Sequence, residues 1–458
     1  MNKKITVNLA VAIAIIAMTV TFSVTMLLSM RMFDNTVSSV REKETMYNKI
    51  SEIDKAVRGS YYGEINEDTL MDYLAAGYLT GTGDKYANYY TVKQYSEWQQ
   101  VQSGSVAGVG MDVAKDASGY ARVIRVYPAS PAADVSITTD YYLLKVGDVD
   151  VKSLTADQIE SLLRGDTGTN ASLTVRNRMN AEEQTLNLQR RQYDMPTVFT
   201  SVMPQEPTVG YVQITSFNQR TAEELVEKVE KLTQQETPVQ SLIIDVRNNK
   251  GGALTDTLDV IDAVCPVGPI ASQQNKDGTT KLLDTSDNNE IALPMTVVVN
   301  AGTEGGAELF AATLRDFGKA KIVGVGTAGK GAVQCDPVAL SDGSAVSFTI
   351  GILVTKNGTS FDGTGVKPDV EVLLTPDQEG AFYDLTLQND PQIVKALEAL
   401  TNQQMTSGTA GTESGAQSGA ESALVPAASS VVTSQETAPA ASDTAAQTES
   451  TASSDSAA

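Results

Sequence analysis

Apolar residues change their rhythm four times along this chain. From residue 9 to 28 they run almost without a break, relieved only by Thr and Ser, with Lys3 and Lys4 before them and Arg31 after. Twenty helical residues span about 30 Å, one bilayer core, so the run predicts a transmembrane anchor over 9–29. A cleaved signal peptide would have a shorter apolar core and a small-x-small site, where this chain reads Leu-Leu-Ser-Met-Arg-Met. With the lysines held inside, residues 1–8 are a cytoplasmic stub. The expectation is a single-pass protein of the cytoplasmic membrane, bulk outside the cytoplasm.

Residues 30–103 keep a helical period. Met46, Ile50, Ile53 and Val57 share one face, a stripe that predicts packing against the same domain or, as the minority reading, a twin subunit in a homo-oligomer. Residues 104–180 read as a β-rich module, with strand-like runs at 121–126, 142–146 and 172–175. One helix interrupts them, opened by a capping box of Thr155 and Gln158 and burying Ile159, Leu162 and Leu163.

From 181 to 402 strands and helices alternate. Residues 209–214 form a strand, and Thr221 with Glu224 caps a helix that turns Leu225, Val229 and Leu232 inward. The short apolar runs 242–245 and 296–299 suit buried parallel strands. A helix from 307 to 317 stops at Gly318 and a strand returns at 322–323. This pattern predicts an α/β core. Beyond 402 the chain becomes Ala, Ser, Thr, Gly and Glu with no Lys or Arg. Such a segment cannot bury enough apolar surface to order itself, so 403–458 is expected to be a disordered acidic tail.

Composition narrows the chemistry. Lys and Arg total 34 against 56 Asp and Glu, a formal charge of -22, which repels phosphate backbones and argues against nucleic acid as a partner. The chain has no histidine, which excludes Ser-His-Asp and Cys-His mechanisms and histidine-ligated zinc. Cys265 and Cys335 match no metal spacing; outside the cytoplasm a disulfide between them is open, and two unpaired thiols are the preferred reading. No metal or cofactor is expected.

Two glycine-rich stretches compete for attention. Gly324-Val-Gly-Thr-Ala-Gly329-Lys330-Gly331 looks like a phosphate-binding loop, but that loop needs Ser or Thr directly after the lysine and then a helix. Here Gly331 follows, and the chain heads toward Pro337 as a strand, so the phosphate reading fails. The second stretch runs from Val297 through Asn300, Gly302, Thr303, Glu304, Gly305 and Gly306 to Glu308. It is a strand, a glycine-rich turn and a helix start, the form of a nucleophile elbow whose N–H groups can hold an oxyanion. A tight strand–helix connection without chemistry is the bland alternative.

The ordered set decides between them. Asp245-Val-Arg247-Asn248-Asn249-Lys-Gly251-Gly252, the turn at Gly305, Gly329-Lys330-Gly331 with Gln334, and Gly363-Thr-Gly365-Val-Lys-Pro368-Asp369 resemble the C-terminal processing peptidases, or tail-specific proteases. Gly108-Val109-Gly110-Met111 is similar to the carboxylate-binding loop of a PDZ domain, and Pro128-Ala-Ser-Pro131 to the turn that follows it. Asp140-Tyr141 stands where the family usually has Gly-Asp. The stretch 79–90, with Gly83-Asp84-Lys-Tyr-Ala-Asn-Tyr, resembles the family's segment before that domain. The resemblance covers roughly 48–400.

It implies an α/β serine-peptidase core with an inserted PDZ domain at 104–180, binding polypeptide C-termini through Gly108, Val109, Gly110 and Met111. In such enzymes a serine attacks the peptide carbonyl, a lysine takes its proton and a glutamine positions the lysine. The resemblance gives Lys330 the base position, Gln334 the support, and Gly251 or Gly252 together with Gly306 the oxyanion donors. The nucleophile position falls on Gly305, because the family's Ser-Ala-Ser-Ala-Ser-Glu reads Thr303-Glu304-Gly305-Gly306-Ala307-Glu308 here. The expectation is a pseudopeptidase whose partners are polypeptide C-termini or unfolded protein segments. The alternative is an active serine-type endopeptidase using Thr303, two residues too early, or another hydroxyl, with Lys330 as base. A third, weaker reading is a scaffold whose PDZ serves as a dimer element.

Overall fold

Strands that are apolar at nearly every position must be covered on both faces, and those at the centre of this chain are. A computed structural model describes residues 7–410, with side chains over 16–26 and 43–402. Its central sheet has six strands in the order Val198–Met203, Glu206–Ile214, Ser241–Asp245, Met295–Val299, Ala320–Gly324 and Val370–Glu371. The first pair is antiparallel and the rest are parallel. Every residue of Ser241–Asp245 and Met295–Val299 is buried. Leu242, Ile244 and Val297 pack toward Leu225, Leu258 and Phe310 of the helices Thr221–Thr233, Leu254–Asp262 and Gly306–Asp316. Ile243 and Val298 pack toward Ile393, Ala396 and Leu400 of the helix Pro391–Ala410. The expected α/β core is present.

A four-stranded antiparallel sheet joins Thr280–Ser286, Gly268–Gln274, Thr349–Thr355 and Ala332–Gln334. A three-stranded one joins Asn88–Tyr90, Ala345–Ser347 and Val338–Ala339. The region expected to be helical therefore also contributes a strand: between helices Glu67–Gly81 and Val92–Gln102, residues 88–90 pair with the core.

The β-rich module has its own apolar interior, built on Val109, Val123, Leu143, Ile159 and Leu173. Thr155 and Gln158 make both bonds of the expected capping box. The interior runs on past residue 180 to Leu188, because Asn170–Asn177 pairs with Glu183–Gln189 as a hairpin. Entry strand Ser105–Gly108 and exit strand Arg191–Asp194 pair with each other, which closes the module at its base.

Several expectations need correction. The membrane span is withdrawn. Residues Val7–Ser60 form one helix, yet among the described residues no helix is long and apolar enough to cross a membrane. Of that run, side chains are described only over 16–26, a stretch too short to span a bilayer, so the single-pass placement in the cytoplasmic membrane is not supported. The stripe on that helix is not covered: Ile50, Ile53 and Val57 are exposed. Thr221 and Glu224 do not form a capping box. Glu224 instead turns its carboxylate to the N–H groups of Thr197 and Val198, 3.0 and 3.2 Å away, while the Thr221 hydroxyl accepts from the N–H of Asn218. The helix Pro391–Ala410 continues past the boundary expected at 402, and 411–458 of the expected tail lie outside the described residues. Cys265 and Cys335 are unpaired.

Candidate active site

The site grows from the end of Met295–Val299. After Asn300 the chain turns tightly, and the Thr303 hydroxyl locks the turn by donating to the carbonyl of Val246, 2.9 Å away, and accepting from the N–H of Asn300 at 3.0 Å. Thr303 is fully buried. Asn300 in turn accepts from the N–H of Asn248 at 2.9 Å, tying the turn to the loop that follows Asp245. That loop is fixed from below, where Arg247 bridges the carboxylates of Asp245 and Asp390 at 2.7 and 2.8 Å.

Gly305 stands at the tip with φ 58° and ψ -115°, a conformation that L residues rarely adopt. A Cβ there would meet only ordinary contacts, so the tip has room for a side chain that the sequence does not supply. Gly306 opens the helix that follows, and its N–H, in the first turn, has no intrahelical acceptor. Gly251 (φ 88°) comes so close that a Cβ on it would lie 2.9 Å from the Gly306 nitrogen. The Gly251 N–H is committed to the side chain of Asn249 at 2.8 Å. Of the three expected oxyanion glycines, this leaves Gly252 and Gly306.

Glu308 binds this turn to the lysine loop. Fully buried, its carboxylate accepts from the N–H groups of Gly305 (3.0 Å), Gly329 (2.7 Å) and Lys330 (2.7 Å) and from the hydroxyl of Thr327. The sequence shows it as the last letter of the turn, but four partners from two loops have no local signature.

Lys330 runs its stem past Gly305 and ends with Nζ 5.2 Å from the ring centroid of Tyr86. Gln334 does not meet it: among the described residues no hydrogen bond joins the two side chains, and the Gln334 amide donates to the carbonyl oxygen of Tyr86. Tyr86 belongs to the stretch 79–90, to which the sequence assigned no chemistry. Asp84 anchors that stretch. Burial works against its charge, but donors from Thr349 and Tyr86 prevail and hold its carboxyl below the usual range.

The loop Gly108–Met111 is buried throughout. The Val109 N–H donates to the carbonyl of Leu163 at 3.1 Å, and its carbonyl accepts from Ala132 at 2.9 Å. Met111–Lys115, which follows, is an edge strand facing the helix Ala156–Leu163. Across that gap lie Asp112 and Glu160. Burial first, and the negative charge of Asp112 second, push the Glu160 carboxyl up to about 7. The helix also reaches the elbow region through Asp157, which pairs with Lys250 at 2.9 Å on the loop carrying Gly251.

Comparison with known proteins finds similarity to peptidases. Residues 208–372 match peptidase family S41, a segment that contains Gly251, Gly305, Lys330 and Gln334 but neither Tyr86 nor the Gly108–Met111 loop. The carboxy-terminal processing protease CtpA of Bacillus subtilis (strain 168) is 26% identical over 332 residues, 72% of this chain and 70% of that protein. A protein of Staphylococcus aureus (strain MRSA252) named "Probable CtpA-like serine protease" is 27% identical over 328 residues, 71% of this chain and 64% of that one. Among solved structures, the photosystem II D1 C-terminal processing protease is similar with a TM-score of 0.45 at 24% identity, over 72% of this chain and 89% of that one.

Proposed function

We propose that this chain, a relative of the CtpA-like serine proteases of peptidase family S41, binds polypeptide without cutting it. The observation that carries the reading is Gly305. It offers no hydroxyl at the tip of the turn, while Lys330, the Glu308 bracket and the Gly306 N–H are all kept around it. Removing the nucleophile of such a site costs on the order of a million-fold in rate, ~8 kcal/mol of barrier stabilisation. Retained neighbours do not replace it.

The Thr303 alternative is weakened by its surroundings. Its hydroxyl is fully buried and makes two hydrogen bonds that define the turn, so attack would require dismantling the elbow. For the bound polypeptide, the unpaired edge of Met111–Lys115 supports docking by strand addition, in the manner of a PDZ domain.

The test is an assay of the full-length chain on unstructured polypeptides with apolar C-termini. The wild type is expected to show no cleavage above background. Gly305→Ser is expected to gain measurable cleavage, lost again on adding Lys330→Met. Wild-type turnover that Thr303→Ser keeps and Thr303→Ala removes would overturn the proposal.

A further inference from the structure

We infer that Tyr86 is a positioning residue of the lysine site: its ring holds the Lys330 ammonium and its carbonyl oxygen holds the Gln334 amide. The inference rests on Lys330 occupying the base position of the proposed site. Nζ at 5.2 Å from the ring centroid is within the range at which an ammonium is attracted to an aromatic face. Nothing at the glycine tip restrains the stem: its Cδ lies 3.9 Å from where a Cβ on Gly305 would stand, and no such atom is there. A lysine stem carries about 2 kcal/mol of rotamer entropy, so a group fixed at one end only would wander. Gln334, the partner expected to orient it, is turned to the Tyr86 main chain instead.

The ring can do this because its backbone is pinned. The Tyr86 N–H donates to Asp84 at 3.0 Å. The Asp84 carboxylate accepts from the N–H and hydroxyl of Thr349 at 2.7 and 3.0 Å. Two residues on, Asn88–Tyr90 pairs with Ala345–Ser347. A strap from the N-terminal region, outside the segment that matches the peptidase family, thus forms one wall of the site. Lys85 shares the same ring at 4.6 Å, but it is exposed whereas Lys330 is half-buried.

The test needs no catalysis. The full-length wild type, Tyr86→Ala and Tyr86→Phe are exposed to an amine-acetylating reagent, and the rate at each lysine is read by mass spectrometry. Tyr86→Ala is expected to raise the rate at Lys330 about three- to tenfold, with Tyr86→Phe restoring the wild-type rate, because the ring and the main chain are what act. Exposed Lys276 serves as the control and should not change. Should Tyr86→Ala lose its thermal transition, Tyr86→Leu, which keeps bulk without a π face, takes its place. Equal rates at Lys330 in all variants, or a Phe variant as reactive as the Ala one, overturn the inference. In the Gly305→Ser background, Tyr86→Ala should lower kcat with little change in KM, and Tyr86→Phe should rescue it. Gly305→Ser without activity would sink the base assignment of Lys330, while the acetylation rates would still decide the role of Tyr86.

Discussion

A Cβ atom on Gly305 would stand 3.9 Å from Cδ of Lys330 and 3.8 Å from the carbonyl oxygen of Lys250. The tip of the elbow is therefore open, and what opposes a side chain there is the backbone rather than the neighbours. At φ 58° and ψ -115° a serine is strained by on the order of 1–3 kcal/mol. Gly305→Ser should therefore lower the thermal midpoint in the same preparation that gains peptidase activity. Calorimetry of the two proteins measures this. A serine variant as stable as the wild type would mean that the turn relaxes, and the activity gain should then be absent.

Thr303 offers the converse case, a hydroxyl that is structural. Thr303→Val keeps the shape but leaves the Asn300 N–H without its acceptor and the Val246 carbonyl with only the longer bond from the Asn249 N–H at 3.3 Å. Buried polar groups left unpaired cost ~1–3 kcal/mol each. The variant should unfold at clearly lower denaturant than the wild type, and Thr303→Ser should recover most of the loss. An unchanged midpoint would contradict the locking role given to this residue.

What the sequence made legible follows from distance along the chain. Runs such as 242–245 announce buried strands because burial on both faces leaves a local mark, and the glycines around Gly305 announce a turn for the same reason. Glu224 kept the spacing of a cap, but its carboxylate was claimed by the N–H groups of Thr197 and Val198 across a tertiary contact. Tyr86 and Glu308 act through partners on other loops, and no periodicity reports such a contact. The span at 9–28 is a different case: the side chains of 9–15 and 27–28 lie outside the described residues, and among the described residues no helix is long and apolar enough to cross a membrane.

Glu160 should make stability depend on pH. Burial and Asp112 hold its proton until about 7 in the fold, against 4.5 ordinarily, so between these values the folded chain binds more protons than the unfolded one. Its contribution is complete below about 4.5 and lost as pH rises through 7. The loss is on the order of 2 kcal/mol, after allowing for a side chain that keeps some solvent and has Arg164 3.4 Å away. Glu160→Gln should flatten this part of the profile. Denaturant titrations at pH 5 and pH 8 would show it, and a mutant profile parallel to the wild type would remove Glu160 as the cause.

The last prediction concerns how a polypeptide enters the module. If docking runs along the Met111–Lys115 edge, the terminal carboxylate must lie against the amides of the Gly108–Met111 loop. One of those amides, Val109, already donates to Leu163, so the free loop competes with its own ligand. Binding of an apolar-ended peptide should consequently be weak, and amidating its C-terminus should weaken it further by about tenfold or more, the charge-assisted bonds being lost. Shifting the helix that carries Leu163 should help: Asp157→Ala breaks the Lys250 pair at its far end and should tighten binding by a few-fold. Fluorescence anisotropy with free and amidated peptides on the full-length chain measures both effects. Equal affinity for the two peptides would remove the carboxylate-binding role of this loop, and with it the expectation that the chain selects polypeptide C-termini.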